Sequence, residues 1–141
     1  MIVELHLNTA IISSMNTNIE VKKVGKKGRG VFALKNFKNG ELIESCPVLT
    51  FTPTERKHLE KTLLNYYVYP WRSTRGASLS LGYGSIYNHS FSPNADWKQN
   101  FKTEEMEYRA IRPIKKGEEI LINYNGEPDD MTEIDWFDVQ E

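Results

Sequence analysis

Apolar and polar residues alternate over residues 19–24, the period of a strand with one buried face. Gly25-Lys26-Lys27-Gly28-Arg29-Gly30 reads as a turn, and residues 31–34 leave it as a second short strand. Lys38-Asn39-Gly40 gives a hairpin-like signal before residues 41–51. That stretch reads as a strand which Pro47 must bend or confine to a sheet edge, because proline has no amide proton for a ladder. One helix is well marked. Thr52 can cap it, Pro53 fits its first position, and Glu55 completes a capping box. Leu59, Leu63 and Leu64 give it an apolar face, so it is predicted to run to about Leu64.

Residues 65–71 are aromatic and strand-like, 72–76 a loop, and 78–81 a short strand. Residues 82–87 form a compact turn or helix leading into the polar segment 88–94. Alternation returns over 105–112, a turn follows at 113–117, and 118–124 is a final strand that Gly126-Glu127-Pro128 ends. Residues 131–139 are a candidate short helix carrying Trp136 and Phe137. Many short strands with one secure helix make a mostly-β or α+β domain. The chain divides into a loosely attached arm (1–18), the domain (19–126) and a tail (127–141).

At 141 residues the chain fits one domain. It is long enough to bury roughly two-thirds of its unfolded surface, so neither disulfides nor a metal are needed to hold a core. Cys46 is the single cysteine, which excludes an internal disulfide and any Cys-rich zinc cluster and fits a reducing compartment, cytoplasm or nucleus. His6, His58 and His89 are far apart in sequence, so no metal is expected. The apolar run at residues 1–12 is interrupted by Glu4, His6 and Asn8 and has no basic flank; neither signal peptide nor membrane helix is expected. Charge changes the picture more. Residues 127–141 carry seven acidic side chains and no basic one, leaving the remainder six positive. The tail is either a solvated face or a means of attracting a basic peptide.

Familiar nucleotide sites fail. After Gly28-Arg29-Gly30 the chain is β-like and no third glycine follows, so it is no Rossmann fingerprint, and the Gly-Lys-Ser/Thr of a P-loop is missing. His89 beside Ser90 makes no hydrolase pair, since no Gly-x-Ser-x-Gly turn surrounds the serine. Lys22, Lys23, Lys26, Lys27 and Arg29 cluster, but a sequence pI near 6.3 supports a nucleic-acid surface only weakly, and no direct nucleic-acid contact is expected. Read alone, Asn88 to Asn94 is a loop of residues that fold their side chains back on the backbone.

In order along the chain stand Gly28-Arg29-Gly30-Val31-Phe32-Ala33, Asn88-His89-Ser90-Phe91-Ser92-Pro93-Asn94, and Gly117-Glu118-Glu119-Ile120-Leu121-Ile122-Asn123-Tyr124. This ordered set resembles the SET-domain family of protein-lysine methyltransferases, over residues 19–126. Residues 81–90 are most similar to the short viral SET histone methyltransferases without zinc modules. The resemblance implies a compact, β-clip-like SET fold of short strands and small sheets, with one or two short helices and a knot-like C-terminal segment. It implies S-adenosylmethionine as cofactor, S-adenosylhomocysteine as product, and a basic lysine-containing protein or peptide, such as a histone, as substrate. The viral likeness extends this to a homodimer. Tyr124 then matches the essential tyrosine and is the first catalytic candidate, with Tyr67 as a second channel tyrosine; Tyr66 or Tyr69 could hold the latter place. Gly28, Arg29, Gly30, Asn88 and His89 would bind the cofactor. Trp136, or else Phe137, would cover the adenine. Ile122 stands where some members limit the number of methyl groups, and Trp97 could fill the same space. The rival reading is a non-catalytic SET-like module that binds a basic peptide.

Overall fold

The computed structural model describes residues 18–135. Among the described residues, nine strands form two sheets. The first sheet has the order β1-β2-β9-β6: β1 is Ile19–Val24, β2 Gly28–Ala33, β9 Glu119–Ile122 and β6 Asn88–His89. The second has the order β4-β5-β3-β8-β7: β4 is Val68–Trp71, β5 Ser73–Ser80, β3 Leu42–Phe51, β8 Glu105–Ala110 and β7 Ala95–Asn100. One α-helix, α1, is present among the described residues and covers Pro53–Leu59. All pairings are antiparallel except β6 on β9.

The β1–β2 hairpin follows from its pattern. Ile19, Val21, Val31 and Ala33 occupy one face in register, and Ile19, Val31 and Ala33 are buried there. The turn, however, is the short 3-10 helix Gly25–Lys27, and Gly28-Arg29-Gly30 already belongs to β2. Gly28 accounts for the tight entry, with φ +84° and open space around it. Buried Ile120 and Ile122 of β9, together with Tyr87, Tyr108, Met106, Phe37 and Ile114, fill the core.

The capping box forms as the sequence predicts: Thr52 Oγ1 accepts from Glu55 N–H, and Glu55 Oε2 accepts from Thr52 N–H. The helix nevertheless ends at Leu59 and buries no side chain. Leu63 and Leu64 do not extend its apolar face. They lie in a separate 3-10 turn, Leu63–Tyr66, capped by Thr62, and Leu63 is 71% exposed. With nothing to pack against, a continued apolar stripe gains little. The aromatic strand therefore begins at Val68 rather than at residue 65, and the loop predicted at 72–76 is mostly β5. β7, which the sequence did not signal, carries buried Asp96 beside buried Ala95 and Trp97, so no polar-apolar alternation marks it. Residues 131–135 form no helix, and the rest of that predicted helix lies outside the described residues.

Candidate functional site

The segment after β6 clamps β9 from the side. Ser90 N–H donates to Ile122 O at 2.9 Å, and Asn94 N–H to Leu121 O at 3.2 Å. Asn94 is 4% exposed, and its amide acts as a surrogate strand. Its Oδ1 accepts from Leu121 N–H and its Nδ2 donates to Glu119 O, both at 2.8 Å. These bonds fix the strand that delivers Tyr124. Buried His89 adds the last constraint: its Nδ1 accepts the backbone N–H of Tyr124 at 3.1 Å, which places the ring proton on Nε2.

Tyr124 sits just past the end of β9. Its hydroxyl donates to Tyr87 O at 2.7 Å, and its ring lies 5.3 Å from the His89 ring. Burial, with smaller contributions from Tyr67 and Glu119, pushes this hydroxyl up to about 12, so it remains protonated at neutral pH.

A cavity of about 340 Å³ opens beside it, lined by Tyr66, Tyr67, Tyr69, Tyr87, Tyr124 and Arg56 among others. Tyr124 and Tyr67 therefore meet in one place, and so do both alternatives to Tyr67. A regular strand would put Tyr66 on the opposite face from Tyr67 and Tyr69. The 3-10 turn that ends at Tyr66 breaks that alternation and lets all three line the cavity. Tyr69 is the fixed wall. Its hydroxyl donates to Gly84 O at 2.6 Å, and its ring packs edge-on against Trp97 at 4.8 Å. Burial holds its hydroxyl well above the ordinary tyrosine value. Tyr67 is the more open one, 36% exposed. Ile122 and Trp97 are buried but do not line the cavity, and the Trp97 indole instead donates to Asn123 O at 3.0 Å.

On the other side of β9, Asn88 Nδ2 donates to Arg29 O at 3.0 Å and to Glu119 Oε1 at 2.7 Å. Gly30 faces this pair. A Cβ there would collide with Glu119 Oε1 and come within 2.9 Å of Asn88 Nδ2 and Val24 Cγ2. Glycine at 30 thus leaves room for the protein's own Asn88–Glu119 pair, whose side-chain ends a Cβ would push aside, a reason that the sequence does not disclose. Arg29, Gly30 and Asn88 come together here, with Gly28 and His89 on the same strands. Trp136 and Phe137 lie outside the described residues.

Three site residues escaped the sequence reading. Glu119 orients Asn88, Asn94 braces β9, and Arg56 pins α1 by donating from Nη1 to Thr74 O and Gly76 O at 2.8 and 2.7 Å. Asn94 was visible as part of a motif but read as a turn former. Glu119 and Arg56 look like ordinary strand-surface and helix-surface charges, and no spacing distinguishes them.

Residues 28–125 match the family model of the SET domain. The chain belongs to the SET domain family. It is 38% identical over 114 residues to a Schizosaccharomyces pombe protein named as a histone-lysine N-methyltransferase, H3 lysine-37 specific, covering 80% of this chain and 77% of that one. A solved Plasmodium falciparum structure, provisionally assigned as a histone methyltransferase, shares 36% identity with a TM-score of 0.60, covering 75% of this chain and 96% of that one. A Polycomb repressive complex 2 structure bound to S-adenosylmethionine superposes with a TM-score of 0.61 at 23% identity. That match covers 83% of this chain but only 16% of the larger one, and it concerns the fold alone.

Members of this family take a methyl group from S-adenosylmethionine. The residues present in this SET domain fit such a group. With both Asn88 amide protons directed at Arg29 O and Glu119 Oε1, its Oδ1 remains as an acceptor, and the Glu119 carboxylate adds negative charge next to it. An acceptor oxygen and a carboxylate beside a glycine backbone suit a ligand that carries an ammonium and a sulfonium.

Proposed function

We propose that this SET domain methylates a lysine of a histone tail, with Tyr124 and Tyr67 in the substrate channel and the Arg29–Gly30–Asn88 cluster holding the cofactor. Lysine N-methylation with S-adenosylmethionine is its activity by family and relatives. The observation that carries the residue assignment is the tyrosine-lined cavity, one wall of which is Tyr124, tied by its own backbone to His89.

When bound, S-adenosylmethionine supplies an electrophilic methyl group on a sulfonium. The chain's residues do the rest. A lysine amine, with an unperturbed pKa of about 10.4, attacks only when neutral, and a narrow aromatic cavity disfavours its charged form. Its proton goes to water before the attack, because the Tyr124 phenol is already protonated at neutral pH and is no base. The Tyr124 hydroxyl, held by its bond to Tyr87 O, keeps its oxygen lone pairs free of that proton and would orient a lysine amine and stabilise developing positive charge beside it. Aromatic faces also favour the cationic methylated product.

A basic substrate suits the surroundings. Glu127, Asp129, Glu133 and Asp135 are exposed, and their segment is bound next to Tyr124. Asn123 Nδ2 donates to Asp130 O at 2.6 Å, and Asn125 Nδ2 to Thr132 O at 2.8 Å. The relative specific for lysine 37 makes histone H3 the first substrate to test. Incubation of histone H3 with labelled S-adenosylmethionine should give labelled lysine, and Tyr124→Phe should lower kcat by at least about a hundredfold while cofactor affinity holds, as loss of an oriented polar group at the reacting centre does. Cofactor binding without transfer to any histone would overturn the histone assignment. Full activity of Tyr124→Phe would overturn the tyrosine's role.

A further inference from the structure

The tip of the β1–β2 hairpin gathers Lys22, Lys23, Lys26, Lys27 and Arg29 within eight residues. All but Lys27 are exposed. Lys22 is spoken for: it pairs with Glu20 at 2.6 Å and lies over the Phe32 ring. Among the described residues the other four make no ion pair, and the chain's own acidic run at 127–135 makes none with them. The register is the more telling feature. Lys23 stands directly opposite Arg29 in the antiparallel ladder, on the face that further down carries Val21, Val31, Ile19 and Ala33. Like charges directly opposite destabilise a hairpin, and Lys26 and Lys27 in the turn add to that repulsion. A hairpin tip with four cations that pair with no carboxylate among the described residues is poorly suited to free solvent and well suited to a polyanion.

We infer that this hairpin tip docks on the phosphate backbone of duplex DNA, so that the enzyme meets its histone substrate on chromatin. The inference rests on the histone-directed reading above. Cations spread over two strands and a turn can each meet a different phosphate of a duplex, whereas a short acidic peptide would engage only part of them. The neutral overall charge, which argued against nucleic acid, averages this basic tip against the acidic residues 127–141.

The test is fluorescence anisotropy of the full chain with a short labelled DNA duplex, titrated between about 50 and 200 mM salt, with polyglutamate and anionic vesicles as competitors. Four engaged cations give a slope of log K against log salt of about −3 to −4. Lys23→Glu/Lys26→Glu/Lys27→Glu should reduce the slope to about −1 or shallower and the affinity at least tenfold. The same variant should methylate an H3 peptide normally and nucleosomes more slowly. Equal duplex binding by wild type and variant overturns the inference, as does preference of the wild type for polyglutamate or vesicles. Failure to methylate the peptide would count instead against the histone reading, and the anisotropy would still decide this one.

Discussion

Asn94→Ala removes a buried amide that serves a strand as though it were a neighbouring strand. Two hydrogen bonds disappear, from Leu121 N–H and to Glu119 O, and both backbone groups belong to β9. A net bond contributes about 1 kcal/mol, and each buried partner left stranded costs about 1–3 kcal/mol, so the variant should lose about 2–5 kcal/mol. That is a large share of the stability of a domain this size, about 5–15 kcal/mol. Asn94→Asp keeps the acceptor for Leu121 but turns an oxygen toward the Glu119 carbonyl, and should lose at least about half as much. Urea unfolding reads both as shifts of the midpoint at unchanged slope. At urea-free concentrations where the variant remains folded, kcat should also fall, because Tyr124 follows Leu121 by three residues and inherits its displacement. If Asn94→Ala unfolds within about 0.5 kcal/mol of wild type, the amide is not bracing β9 and the account is wrong.

Gly30→Ala pushes the ends of the Glu119 and Asn88 side chains apart and should weaken S-adenosylmethionine binding by at least about tenfold by calorimetry, with a stability loss of no more than about 1 kcal/mol because only side-chain ends must move; wild-type affinity would refute it. Cys46 is 1% exposed, and burial first, then Glu44, pushes its thiol up to about 12, so a thiol reagent should label it only in denaturant. The Tyr124 hydroxyl rises from about 10 to about 12 on folding, so its contribution to stability is complete below pH 10 and is lost as pH climbs from 10 to 12. Over that window the urea midpoint of wild type should fall more steeply than that of Tyr124→Phe, and parallel curves would contradict the shift.

What the sequence disclosed and what it withheld divide along a physical line. The capping box at Thr52 and Glu55 is local chemistry, and it formed where it was expected. The three family motifs come together because each lies on or beside a strand of one sheet, β2, β6 or β9. The length of α1 was overread, since three leucines in helical spacing promise a buried face only if something lies opposite. β7 was missed because Asp96 is buried next to two apolar neighbours, which erases the alternation. The register ambiguity among Tyr66, Tyr67 and Tyr69 dissolved for a reason outside any pattern: a 3-10 turn put all three around the same space. Roles that depend on a partner far along the chain, such as Glu119 on Asn88, have no local trace.

The segment carrying α1 and the Leu63–Tyr66 turn buries no side chain in either element, yet it forms one side of the cavity beside Tyr124. Its hold on the domain is chiefly polar, through Arg56 on two backbone carbonyls. Substitutions there, Arg56 apart, leave the core untouched and alter only the wall of the cavity. On the proposed reading of this cavity as the substrate channel, substrate choice and foldedness are inherited on different parts of the chain, and new target preferences can accumulate in this outer wall without eroding the sheet that holds Tyr124.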